Sequence, residues 1–174
     1  MSEAYSRFIP YLNKTSKILD LGCGSGRDLT YFKQNGFYVE GLEPAHSLCR
    51  LIKENFDVTV HCDNIQNFQC KHKYDAVWAC ASLLHLTEAD MIEFFKNISD
   101  ILTPNGIIYA SGKNGIKTGF AEDGRYFTEF TDELIEKILH INPNLTLLEK
   151  WFSTDVTGRQ DFQWLNFIMK IEKE

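Results

Sequence analysis

The sequence predicts an α/β domain built on a mostly parallel sheet, and three observations carry that prediction. Short apolar runs alternate with stretches of helical periodicity. The first apolar run ends in a glycine-rich turn, Asp20-Leu21-Gly22-Cys23-Gly24-Ser25-Gly26. Two β-like runs close the chain with no helical pattern between them.

In order, Lys17 to Leu21 reads as a buried strand. A helix is expected over 27–35, with Gly36 as its stop. Residues 37–42 form the next strand. Pro44 suits the first turn of a helix that reaches about Phe56. Residues 57–61, rich in valine and threonine, read as a third strand. Tyr74 to Ala79 is a fourth. Thr87, with Asp90 three residues on, caps a helix whose apolar face is Met91, Phe94, Phe95, Ile98, Ile101 and Leu102. Thr103-Pro104-Asn105-Gly106 is a turn, and 107–111 a fifth strand. Residues 112–124 hold four glycines and read as a long mobile loop. Thr131 caps a helix with Leu134, Ile135, Ile138 and Leu139 on its apolar face. The strands 145–152 and 163–171 then form an antiparallel pair at the sheet edge. Repeated β-α units require right-handed crossovers.

The chain of 174 residues suits one domain spanning 1–174. Its net charge of -6, with Lys71-His72-Lys73 as the longest basic stretch, argues against a nucleic-acid partner. No apolar run approaches the roughly 18 residues of a membrane span, and Met1 to Tyr5 lacks a signal pattern, so a cytoplasmic location is expected. Five cysteines, Cys23, Cys49, Cys62, Cys70 and Cys80, without a C-x-x-C pair, read as reduced thiols. His61-Cys62 and Cys70-Lys71-His72 fit no usual zinc spacing, so no metal is expected.

Ligands of open α/β sheets bind at the carboxyl ends of the strands, which places a site at the glycine turn. Glycines there permit positive φ angles and a close backbone approach. Glu43 ends the second strand, seventeen residues after Gly26, where a carboxylate can accept both ribose hydroxyls of an adenosyl ligand. A pyrophosphate turn prefers G-x-G-x-x-G, and Arg27 breaks that spacing. Asp20 would also repel a pyrophosphate, whereas it suits a ligand carrying an ammonium and a sulfonium.

The run Ile18 to Asp28 closely resembles motif I of class I S-adenosylmethionine-dependent methyltransferases. Tyr74 to Leu86 resembles the family's fourth strand and loop, and Leu102 to Gly106 its L-x-P-G-G turn, with Asn105 for the first glycine. Within the class, Gly124-Arg125-Tyr126-Phe127 and Trp164-Leu165-Asn166 resemble small bacterial tellurite-resistance-like methyltransferases. The resemblance implies a Rossmann-like, seven-stranded mixed sheet with one late antiparallel strand, flanked by helices. It implies S-adenosylmethionine as cofactor and a small molecule or metalloid as acceptor. RNA or protein acceptors, and a regulatory module that binds the cofactor without turnover, stand as alternatives. Asp20, Gly22, Cys23, Gly24 and Gly26 would surround the methionine part of the cofactor, and Arg27 its carboxylate. Glu43 and Pro44 would hold the ribose. Asp63, Asn64 and Ile65 would meet the adenine, although Asp-Asn is also a common turn. Ala79, Cys80 and Ala81 would close over the methionine end. Relatives carry a longer N-terminal segment than residues 2–13, so a more open site is expected.

Methyl transfer rewards positioning more than base strength, so no triad is required. His85 is the candidate proton acceptor; it reads equally as a loop histidine bonded to a backbone carbonyl. Arg125, Tyr126, Trp151 and Arg159 are candidate acceptor-binding residues, the arginines suiting an anion. Each reads equally as a surface arginine or a core aromatic. Trp78 and Tyr109, inside strands, are expected in the core.

Overall fold

A computed structural model describes residues 2–155 and 157–172. Helix α1 (Ser2–Phe8) precedes β1 (Lys17–Leu21), α2 (Arg27–Gln34), β2 (Tyr38–Leu42), α3 (His46–Asn55) and β3 (Thr59–His61). Then come β4 (Tyr74–Cys80), α4 (Glu88–Lys96), β5 (Leu102–Asn114) and a small ribbon of β6 (Gly119–Phe120) and β7 (Tyr126–Phe127). Helix α5 (Asp132–Ile141) leads to β8 (Leu145–Ser153) and β9 (Gln163–Ile171). The sheet order is β3-β2-β1-β4-β5-β9-β8. The first five strands are parallel, and β9 runs antiparallel to both its neighbours. The expected seven-stranded mixed sheet is therefore what forms.

The expected caps also form. Thr87 Oγ1 accepts the Asp90 amide, and Thr131 Oγ1 accepts that of Leu134. Several boundaries differ. The final hairpin does not simply add an edge: β9 inserts between β5 and β8, because its run from Leu165 to Met169 is buried on both faces. Helix α4 stops at Lys96, and Ile98–Asp100 is a 3-10 turn, so Ile101 and Leu102 lie beyond the helix. The turn at 103–106 is absorbed into β5 as an irregularity, with Asn105 at φ 65°. β5 continues to Asn114 against β9, and β6 pairs with β7, so 112–114 and 119–120 of the expected loop are held in strands. α3 begins at His46, two residues past Pro44. Cys49 of α3 and Cys62, just after β3, pair as a disulfide with Cα atoms 6.0 Å apart, in place of the expected thiols. That meeting depends on how α3 packs on β3, which a separation of thirteen residues does not reveal.

The sheet carries one apolar layer on each face. α4 and α5 cover one face, with Phe95, Phe130 and Phe167 among the buried rings. α1, α2 and α3 cover the other, over Phe8, Phe32, Trp78 and Tyr109. Trp78 and Tyr109 are core residues as expected, 4.0 Å apart and stacked.

Helix α1 is held by a polar bond inside this second layer. Asp28, at the start of α2, is buried and accepts from Tyr5 Oη (2.5 Å), Trp78 Nε1 (2.7 Å), Arg27 Nε (2.6 Å) and Arg27 Nη2 (2.9 Å). Burial pushes its carboxyl upward, but those donors outweigh burial and hold it below the usual range. Tyr5 also stacks on Tyr31 at 3.6 Å.

Removing one donor from this carboxylate has a measurable cost. Tyr5→Phe is expected to destabilise the fold by about 1–3 kcal/mol in denaturant unfolding. Because the folded pKa of Asp28 is depressed, its contribution is full above the unfolded value of about 3.9 and is lost as pH falls through the folded value. Asp28→Asn should therefore lower stability at neutral pH and flatten the acid limb; an unchanged acid limb would rule out this role.

Candidate functional site

The glycine turn sits between the carboxyl ends of β1 and β2 and the loop after β4. Gly22 and Cys23 both donate their amides to Leu42 O, which fastens the turn to β2. A Cβ on Gly22 (φ 74°) would lie 2.5 Å from the Ser82 Cβ, so the post-β4 loop closes directly on this glycine. A Cβ on Gly24 (φ 56°) would meet nothing within 4 Å, so this stretch of backbone borders open space. Gly26, also at positive φ, is the residue before α2.

Glu43 is buried at the end of β2 and faces the turn. Its Oε2 accepts the Gly24 amide at 3.0 Å and its Oε1 the Ala45 amide at 2.9 Å. Each oxygen keeps a lone pair, which fits a ribose diol. Pro44 is exposed beside it. Asp63, Asn64 and Ile65 form the turn after β3. Asp63 Oδ1 accepts the Asn64 amide, Asn64 Oδ1 accepts that of Asn67, and Ile65 packs on the core. The turn reading of Asp-Asn is thus realised, on the side of Glu43 expected to meet adenine.

Asp20 is the unusual residue. It is buried, and its Oδ2 has no hydrogen-bond partner among the described residues. Ser82 Oγ, 3.4 Å from the Cβ position of Gly22, is likewise unpartnered. These are the only such buried side-chain atoms found among the described residues, and both flank the same turn. Burial, then the charge of nearby Asp28, push the Asp20 carboxyl well above its usual range. An incoming ammonium would relieve both effects. The unpartnered atoms and the open space at Gly24 fit the amino-acid end of the expected cofactor.

Arg27 spends Nε and Nη2 on Asp28, with Nη2 also 3.6 Å from Cys80 Sγ. Its guanidinium nevertheless borders the cavity described below. Ala79 is fully buried in β4. Ala81 adopts φ 54°, a strained angle for a residue with a Cβ, and donates its amide to Ser111 Oγ at 3.0 Å. Burial pushes the Cys80 thiol up to about 11 and raises Cys23 as well, so neither is an activated nucleophile.

A cavity of about 530 Å³ opens beside this loop, over the carboxyl ends of β4 and β5 and the facing ends of β8 and β9. Cys80, Ala81, Arg27 and Trp151 line it, as do Tyr109, Ser111, Trp164 and Asn166, which sequence reasoning did not assign to a site. Only tertiary register could have revealed them. The first residues of α1, Ser2 to Ala4, form one wall. His85, Arg125, Tyr126 and Arg159 do not line the cavity. His85 is exposed, with Nδ1 2.9 Å from Tyr126 O, the backbone-bonded arrangement. Arg125 pairs with Asp123 and lies over the Phe127 ring, while Tyr126 packs on Phe120. Arg159 is exposed.

Comparison with known proteins places these features in context. A family profile described as a methyltransferase domain matches residues 18–106, just over half of the chain. The alpha N-terminal protein methyltransferase 1 of Dictyostelium discoideum is 48% identical over 98 residues, covering 52% of this chain and 36% of the relative. A ubiquinone biosynthesis O-methyltransferase of Bradyrhizobium diazoefficiens is 26% identical over 110 residues, covering 60% and 43%. The chain thus spans less than half the length of these relatives. Among solved structures, a 1,6-didemethyltoxoflavin-N1-methyltransferase of Burkholderia thailandensis, with bound S-adenosylhomocysteine, aligns with TM-score 0.80 at 18% identity over 98% of this chain and 77% of that one. A methyltransferase of Methanosarcina mazei aligns with TM-score 0.81 at 16% identity over 98% and 99%. Both structures are described with the cofactor expected from the turn, S-adenosylmethionine or its product. Given the span of the domain match, the chain belongs to the methyltransferase-domain family.

Proposed function

We propose that this domain transfers a methyl group from S-adenosylmethionine to a small-molecule acceptor. The observation that carries the reading is the pair of unpartnered buried atoms, Asp20 Oδ2 and Ser82 Oγ, flanking a glycine turn whose backbone borders open space. When bound, S-adenosylmethionine supplies an electrophilic methyl group on a sulfonium. Asp20 and Ser82 would receive its ammonium end, Glu43 its ribose hydroxyls and the turn at 63–65 its adenine. Ala81, held by Ser111, would shape the slot between cofactor and acceptor. The cavity beside Ala81 would orient the acceptor for in-line attack and exclude water.

A small acceptor fits a cavity of about 530 Å³. The sequence resemblance extends this to metalloids, and it goes with a bacterial, cytoplasmic setting. A protein acceptor is a second reading, favoured by the 48% identity to a protein N-terminal methyltransferase. Release of S-adenosylhomocysteine with an N-terminal peptide, and with no small molecule, would select it.

Calorimetric titration with S-adenosylhomocysteine tests the cofactor site. Glu43→Ala is expected to weaken binding by about ten- to hundredfold, the worth of hydrogen bonds to a charged group; equal affinity in a folded variant would remove Glu43 from the ribose role. Asp20→Asn separates binding from stability. A raised folded pKa means that Asp20 costs the ligand-free protein stability as pH rises from about 3.9 toward the folded value. The variant should be about 1–3 kcal/mol more stable than the parent near neutral pH, with the advantage shrinking toward pH 4, yet bind S-adenosylhomocysteine more weakly. A variant both less stable and equally tight in binding would contradict the assignment.

A further inference from the structure

The wall chemistry of the cavity points to one class of acceptor. Its floor is a single row across four strands: Cys80 of β4 is in register with Ser111 of β5, Ser111 with Asn166 of β9, and Asn166 with Trp151 of β8. Paired residues on neighbouring strands share a face, so all four present to the same side. Trp164, two residues before Asn166 on β9, lines the same space, and Tyr109 lies beneath it. The indoles of Trp151 and Trp164 are half-buried rather than sealed in the core.

The polar groups of this floor are already satisfied. Asn166 Oδ1 accepts Tyr109 Oη at 2.8 Å, and Asn166 Nδ2 donates to Ser153 Oγ and Trp164 O, each at 3.0 Å. Ser111 Oγ accepts the Ala81 amide. A ligand therefore gains more here from ring faces than from new hydrogen bonds to the floor.

The charges select further. Arg27 is the only Lys or Arg lining the cavity among the described residues, and Asp28 holds it with two bonds. Two carboxylates also line it, Glu3 and Asp155. Glu3 shares Arg7 with Glu149, and Arg7 lies over the Trp151 ring at 4.7 Å. Asp155 accepts from Trp164 Nε1 at 3.3 Å and feels the charge of exposed Arg159. On the lining itself Glu3 and Asp155 stand against Arg27, an acidic surplus, and among the described residues it offers no unpaired cation to receive an anion.

We propose that the acceptor is a flat, uncharged, nitrogen-bearing aromatic ring, seated against Trp151 and Trp164 with Glu3 and Asp155 at its rim. The inference rests on the methyl-transfer reading above. The ring nitrogen's lone pair forms the new bond to the methyl carbon, and the carbon–sulfur bond breaks with its electrons passing to sulfur. Positive charge moves from sulfur to the acceptor; where the nitrogen carried a hydrogen, that proton leaves to water. The Trp164 indole and the rim carboxylates stabilise a ring that becomes cationic more than one that is neutral, so they act where charge develops, while Trp151, already under Arg7, supplies apolar contact.

Quinoline, N-methylquinolinium and quinoline-4-carboxylate are matched probes: neutral ring, cationic product and anion of one shape. Their binding is measured by calorimetry on the full chain, with and without saturating S-adenosylhomocysteine. Quinoline and N-methylquinolinium are expected to bind at least about tenfold tighter than the carboxylate, a difference of about 1.4 kcal/mol. Trp164→Ala and Trp151→Ala should each weaken both by about tenfold, with S-adenosylhomocysteine affinity unchanged. The double variant Glu3→Gln, Asp155→Asn should bring cation and anion to similar affinity. Equal or tighter binding of the carboxylate to the parent protein overturns the proposal. So do unchanged affinities in both tryptophan variants, or no saturable binding of any probe at millimolar concentration to protein that binds S-adenosylhomocysteine. Failure of S-adenosylhomocysteine itself to bind would instead remove the methyl-transfer reading, and the ring preference would still be read from the probes alone.

Discussion

The buried carboxylate of Asp28 is the bond on which the arrangement of the site depends. Three residues from three elements donate to it: Tyr5 from α1, Arg27 from the start of α2, and Trp78 from β4. Truncating a buried charge that holds several partners is costly because each partner is then stranded. The same contacts set the geometry at both ends. α2 begins where the glycine turn ends, so fixing its first residues fixes the turn. α1 contributes one wall of the cavity beside Ala81, so fixing Tyr5 places that wall.

Asp20 and Asp28 lie in one buried region and are treated in opposite ways. Asp28 has donors and is held ionised, whereas Asp20 has an unpartnered oxygen and is pushed toward its protonated form, partly by Asp28. Environment thus divides two identical side chains into a structural anion and a buried carboxyl pushed toward its neutral form. The unsatisfied state has a stability cost, and proteins retain such costs where a ligand removes them. Ser82 and the strained Ala81, on the loop that closes over Gly22, belong to the same region.

The cofactor half of this picture was legible in the sequence because its signals are local. The turn, Glu43 at the end of β2 and the caps Thr87 and Thr131 each depend on a few neighbouring residues. The cavity beside Ala81 was not. Its floor joins Cys80, Ser111, Asn166 and Trp151 through register across four strands, and β9 reaches β5 only by inserting before β8. No spacing along the chain encodes that row. Of the expected acceptor residues only Trp151 lies there, since Arg125 and Tyr126 follow the β6–β7 ribbon away from it. α1 escaped notice for a related reason: seven residues carry little helical periodicity, and packing of Tyr5 and Phe8 on Trp78 holds it.

The carboxyl edge of the sheet thus has two chemically different halves. Strands β1 to β3 end in the glycine turn and the carboxylates of Asp20 and Glu43. Strands β4, β5, β9 and β8 line a cavity that carries the indoles of Trp151 and Trp164. The most direct test is a crystal structure with bound S-adenosylhomocysteine. The account predicts its amino nitrogen within hydrogen-bonding distance of Asp20 Oδ2 or Ser82 Oγ, its ribose hydroxyls on Glu43, and its sulfur facing the cavity beside Ala81. A ligand seated elsewhere, or one that leaves both Asp20 and Ser82 unpartnered, would contradict it.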